Sequence, residues 1–144
     1  GGGILPERLR DVAARFPLVP RLGENTTLAA VITNADITKA GCTRLAIAGQ
    51  DGIARGVSPA HTQFDGDVVF AAATREYRVT ELGVAHLEQA AADVVTRAIA
   101  RAIVAANTAV GTVLGRTVHY YSWRELVAGE VTPDDVRWWE RLVP

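Results

Sequence analysis

An α/β fold is expected from three features of the sequence. Two β-branched, almost continuously apolar runs, TTLAAVITNA (residues 26–35) and VVFAAAT (68–74), read as strands. Each is followed by a segment of helical period, residues 36–57 after the first and 80–111 after the second. Hydrophobic residues make up 49% of the 144, enough to bury one sizeable core.

The chain is expected to divide into three parts. Residues 1–25 read as a linker with one short helix in PERLRDVAARF. Leu9, Val12, Ala13 and Phe16 recur there at helical spacing, and Pro6 suits a first turn. Pro17 and Pro20 then break the pattern. Residues 26–110 form the core, a strand-helix-strand-helix unit. Its strands are so uniformly apolar that burial on both faces is expected.

In the first core helix Leu45, Ala48 and Gly49 share a face, and Gly52 offers a stop. The loop SPAHTQFDGD is rich in turn formers. The second helix carries a stripe of Leu87, Ala91, Val94, Val95, Ala98, Ile99, Ala102 and Ile103, with Thr80 and Glu81 suited to its start. Residues 111–144 read as an aromatic, helical tail. They hold all three tryptophans, and TPDDVRWWERL has the pattern of a capped helix with Thr132 at the cap and Pro133 at the first turn. The Trp138–Trp139 pair reads as core or interface.

Charge and composition exclude several classes. With 15 basic and 16 acidic residues the formal charge is −1, so no nucleic acid or anionic membrane is expected as a partner. No run of about 18 apolar residues suggests a membrane span. No basic-then-apolar leader opens the chain, and a cytoplasmic protein is expected. The absence of any methionine, including an initiator, reads as a fragment or a processed subunit. The single cysteine, Cys42, cannot form an intrachain disulfide and reads as a small buried residue. No phosphate-binding glycine loop occurs, and His119 has no second ligand at zinc spacing. Neither a metal nor an organic cofactor is expected.

Two stretches could carry chemistry. Thr26 stands at the head of the first strand in LGENTTLAAVITN. A threonine hydroxyl is a weak nucleophile unless a base adjoins it. A free α-amine on the same residue, with a pKa near 7.7–8.0, supplies one, provided the Asn25–Thr26 bond is cut. The bland alternative is a good β-former opening a strand. The second stretch is HTQFDGDVVF, where Asp65 and Asp67 flank Gly66. Carboxylates this close tend to raise one pKa; they could orient an ammonium, hold a proton for a leaving amine, ligate a metal, or simply form a turn. His61 could contact substrate or fasten the loop through hydrogen bonds, and His86 reads as a surface or packed residue.

Together, ENTTLAAVITNADITKAGCTRLAIAGQDGIARGVSPAHTQFDGDVVFAAAT resembles the C-terminal part of the DmpA-type aminopeptidases. That family takes in L-aminopeptidase/D-esterases, β-peptidyl aminopeptidases and the nylon-oligomer hydrolase. The likeness covers about residues 22–110. It implies a four-layer αββα sandwich of N-terminal-nucleophile type, with only its C-terminal portion present. It also implies a precursor that cuts itself into α and β subunits, with Asn25 ending α and Thr26 opening β as the nucleophile. Asp65 and Asp67 align with the acidic pair of the nylon-oligomer hydrolase branch.

The expected function is thus a self-processing N-terminal-threonine amidohydrolase or aminopeptidase. Its substrates would be small amides, short peptides or ω-amino-acid oligomers, and its partners the α-subunit region of the same precursor and further copies of itself. In the family the upstream region adds a lysine, an asparagine and a tyrosine near the nucleophile, and none of these maps onto this chain. Two alternatives stand beside this reading: an uncleaved, non-catalytic scaffold or partner fragment, and an acyltransferase similar to ornithine acetyltransferase, which shares the self-cleaving threonine.

Overall fold

β-branched and small apolar residues after Thr27 favour extended backbone, and strand β1 forms over Leu28–Asp36. It opens the part of the chain that the computed structural model describes, residues 26–113 and 116–128. Two compact units are present: one spans Arg21–Arg101, and the other takes in the residues from Ala102 onward.

In the first unit β1 is followed by helix α1 (Lys39–Gly56), strand β2 (Val68–Arg78) and helix α2 (Glu81–Ala105), in the expected order. The Thr38 hydroxyl accepts the Gly41 N–H at 3.2 Å and so caps the free donors that open α1. Thr80 does the same for Gly83 at the start of α2, at 3.1 Å. The two strands lie side by side and parallel, in step from Leu28 opposite Val68 to Thr33 opposite Ala73. Beyond that point the register shifts, and Ala35 stands opposite Tyr77. Arg75 bulges out there at φ 64° and binds Asp36.

The core lies on one face of this sheet. Val31, Ala35 and Val69 point into it and meet Leu45 and Ile53 of α1 and Ala91 and Val95 of α2. Cys42 packs at its margin, partly buried. The other sheet face departs from the expectation of burial on both sides. Leu28, Ile32 and Phe70 are 69%, 74% and 63% exposed, because among the described residues α1 packs on the opposite face and nothing packs on this one.

Two glycines let the layers approach. A Cβ on Gly49 would stand 2.7 Å from Val69 Cγ1, so its absence lets α1 lie close on β2. A Cβ on Gly52 would stand 2.5 Å from the Ala92 carbonyl oxygen and 2.7 Å from Val95 Cβ, so its absence lets α1 meet α2. Gly52 therefore does not stop the helix; α1 continues to Gly56, because tertiary contact outweighs glycine's weak helix propensity. Thr96 adds a hydrogen bond to the Gly52 carbonyl at 3.1 Å. Arg44–Glu88 and Arg55–Asp93 pairs bridge the same two helices at the surface.

The second unit has strands at the start of the tail that the sequence reads as helical. Strands β3 (Ala109–Val113) and β4 (Arg116–Tyr120) form an antiparallel pair, followed by a short helix α3 (Trp123–Ala128). The β-branched residues Val110, Thr112 and Val113 before Leu114–Gly115, and Thr117 and Val118 after, are a hairpin pattern. Ser122 and Glu125 cap α3 reciprocally: Ser122 N–H donates to Glu125 Oε2 at 2.9 Å and Glu125 N–H to Ser122 Oγ at 3.4 Å. The helices expected in residues 6–16 and 132–142 lie outside the described residues.

Gly52→Ala should destabilise the protein by about 1–3 kcal/mol despite alanine's better helix propensity, because the new methyl meets a backbone carbonyl. Gly56→Ala meets only the movable side chain of Ile99 and should cost far less. Urea denaturation of the two variants against wild type checks the ordering; equal effects would disprove the close approach at Gly52.

Candidate active site

Parallel pairing places the beginnings of β1 and β2 at the same edge of the sheet. The Val68 N–H donates to the Thr27 carbonyl at 3.0 Å, one step ahead of the strand ladder. Residues 26–27 and 65–67, forty positions apart in the chain, thereby become neighbours. The contact at Thr26 is close. A Cβ on Gly66 would stand 2.7 Å from Thr26 Oγ1, so the glycine lets the acidic loop pass close to the hydroxyl where it now stands. Thr26 itself is exposed.

Asp67 ties the two strand beginnings together. Its Oδ1 accepts the Thr27 N–H at 2.8 Å, and its Oδ2 accepts the His61 N–H at 3.1 Å. His61 Nδ1 stands 3.0 Å from the same Oδ2, and the carboxylate side chain is only 5% exposed. Burial opposes its ionisation, but the N–H groups of Thr27 and His61, the Thr27 hydroxyl and the His61 ring together outweigh that and hold the carboxyl below the usual range. Two neighbouring acids in the sequence suggested a raised pKa; the fold instead gives Asp67 its own set of donors.

Asp65 is turned to its own loop. Its Oδ2 accepts the Thr62 N–H at 2.8 Å, and its backbone N–H donates to the Thr62 carbonyl at 3.0 Å. The structure thus brings Gly66 against Thr26 and Asp67 against Thr27, and leaves Asp65 closing the turn beside them. Asn25 lies outside the described residues. His86 is exposed on α2, apart from the loop cluster.

Gln50, which the sequence did not mark, joins the cluster from α1. Its carbonyl oxygen lies 3.1 Å from His61 Nε2, and its side-chain amide donates to the Asp67 carbonyl at 3.5 Å. One signal was available: it is a polar residue next to the apolar face formed by Leu45, Gly49 and Ile53. An open groove lined by Arg55, Ala90, Asp93, Val94, Thr96 and Arg97 lies on the helices and includes none of these residues. Among the described residues no group of three or more His, Cys, Asp or Glu side chains is placed to hold a metal ion. No described helix is long and apolar enough to cross a membrane.

The family model for peptidase family S58 matches residues 2–117. The chain belongs to peptidase family S58. An uncharacterized aminopeptidase of Mycobacterium leprae is 40% identical over 99 residues, which cover 60% of this chain and 27% of that protein. Uncharacterized aminopeptidases of Mycobacterium bovis and Mycobacterium tuberculosis are each 52% identical over 50 residues, 35% of this chain and 14% of theirs. The chain spans about a quarter of the length of the first of these S58 relatives.

Asp67→Asn should lower stability at pH 7 by about 1–3 kcal/mol, because the Thr27 and His61 N–H groups lose a charged acceptor. The sign with pH follows from the lowered carboxyl. Its contribution is fully present above the unfolded pKa of about 3.9 and is lost as pH falls through the lower folded value. Thermal denaturation of both proteins should therefore converge on acidification; a gap that persists unchanged at pH 2 would contradict the assignment.

Proposed function

We propose that this chain carries the nucleophile of a self-processing aminopeptidase or amidohydrolase, with Thr26 as that nucleophile. The observation that carries the reading is the close approach of Gly66 to the exposed Thr26 hydroxyl, with the Asp67 carboxylate holding the N–H of the next residue, Thr27. Family membership and the aminopeptidase names of the relatives support the same class.

On this reading Thr26 Oγ first attacks the Asn25 carbonyl carbon. The acyl group moves from nitrogen to oxygen, and water resolves the ester, leaving a free Thr26 amine. In turnover that amine takes the hydroxyl proton as Oγ attacks a substrate amide. The proton passes to the leaving amine, an acyl-enzyme ester remains, and water releases the acid. Asp67 holds the backbone at Thr27 and so fixes the attacking residue. Asp65 closes the turn beside it and so holds the loop that passes Thr26. The substrates are short peptides or small amides, ω-amino-acid oligomers among them.

The partner is the upstream α region, and its place is the apolar sheet face of Leu28, Ile32 and Phe70. Burying that face would complete the four-layer sandwich that the family resemblance implies. Further copies of the chain would then assemble on other surfaces.

Intact mass of the protein co-expressed with its upstream region tests the reading. Wild type should split between Asn25 and Thr26, and Thr26→Ala should stay whole. A wild type that stays whole would leave the scaffold reading in its place.

A further inference from the structure

His61 is fastened at three atoms. Its backbone N–H donates to Asp67 Oδ2 at 3.1 Å, and its ring Nδ1 stands 3.0 Å from that same oxygen. Its Nε2 lies 3.1 Å from the main-chain oxygen of Gln50. Both ring nitrogens therefore face acceptors within the chain rather than pointing outward to a ligand. The backbone adopts φ 56° here, a left-handed conformation that a histidine rarely takes unless surrounding contacts hold it. In that conformation the N–H and the ring of one residue converge on one oxygen.

This division of labour matters because a carboxylate has two equivalent oxygens and turns easily about its last torsion. The His61 N–H bonds Oδ2 and the ring Nδ1 stands beside it, which leaves Oδ1 for the Thr27 N–H at 2.8 Å. Gln50 braces the assembly from helix α1, through its carbonyl to the ring and its side-chain amide to the Asp67 carbonyl. A rigid helix is thus linked through one imidazole to the carboxylate that holds the start of β1.

We propose that His61 is a positioning residue for Thr26: by locking Asp67 Oδ2 from α1, it aims Oδ1 at the Thr27 N–H and sets the Thr26 hydroxyl against Gly66. The inference rests on Thr26 being the nucleophile. It gives His61 no contact with substrate, so its loss should lower kcat and leave KM nearly unchanged.

The test compares His61→Asn, His61→Gly and His61→Gln with wild type and Thr26→Ala, each co-expressed with the upstream region. Self-cleavage is read by intact mass, and hydrolysis of amino-acid anilides is read per cleaved chain. Asparagine tolerates the left-handed backbone and can place an amide N–H where Nδ1 sits. Glycine accepts the backbone without strain but offers no side-chain donor. Glutamine's longer side chain places its donor farther from the backbone, nearer the position of Nε2.

The expected result is that His61→Asn stays within roughly fivefold of wild type. His61→Gly and His61→Gln should lose about 10- to 100-fold in kcat or in cleavage rate, with KM within roughly threefold. If His61→Gly performs as well as His61→Asn, only the backbone mattered and the inference falls. It falls equally if KM rises while kcat holds, because His61 then contacts substrate. A wild type that neither splits nor hydrolyses, like Thr26→Ala, overturns the nucleophile reading and this inference with it. A wild type that splits, beside an unimpaired His61→Gly, overturns this inference alone.

Discussion

The structure at the candidate site depends on the parallel pairing of two strands that start level with one another. A hydrogen bond from Val68 N–H to the Thr27 carbonyl sets that alignment, and the ladder from Leu28 opposite Val68 continues it. Parallel neighbours need a crossover, and α1 supplies it. Because the strands run the same way, the segment before each one emerges at the same edge. A slip of one residue would turn Val31 or Val69 out of the core, so burial of those side chains also fixes where Thr26 meets Gly66.

The packing of α1 transmits this alignment to the loop. Gly49 and Gly52 allow the helix to lie close to β2 on one side and α2 on the other, and Leu45 and Ile53 are buried between them. The same helix presents Gln50 to His61 and Asp67. The core and the site are thus braced by neighbouring residues of one element. Side chains one position apart on a helix point about 100° away from each other, so Gly49 can face the sheet while Gln50 reaches the loop at its edge.

The site also lies at an unusual end. Open parallel sheets commonly place their ligands beyond the carboxyl ends of the strands. Here Thr26 and Asp67 stand at the amino ends. The proposed chemistry agrees with this placement: a nucleophile that uses its own α-amine as base must begin a chain, and Thr26 stands just before β1. The apolar face of Leu28, Ile32 and Phe70 starts at the same edge, so the surface assigned to the upstream region adjoins the proposed nucleophile.

The sequence by itself determined the order of the first four elements, because apolar runs with β-branching and stripes with helical period are local patterns that burial then enforces. It also marked Thr26 and the Asp65-Gly66-Asp67 turn, as residue types capable of nucleophilic and acid–base chemistry. The hairpin of β3 and β4 was legible in its β-branched residues, but the capped-helix pattern of residues 132–142 led the whole tail to be read as helical. Only the tertiary structure decided how the acids are used. Asp67 takes the Thr27 and His61 donors, while Asp65 closes its own turn, a distinction invisible in two identical residues flanking one glycine. It likewise decided that Gly52 is a contact rather than a helix end, and that Gln50 and His61 belong together. Apart from the local Asp65–Thr62 turn, those outcomes depend on which groups approach across separations of 6 to 44 residues, where only chain packing chooses the partner.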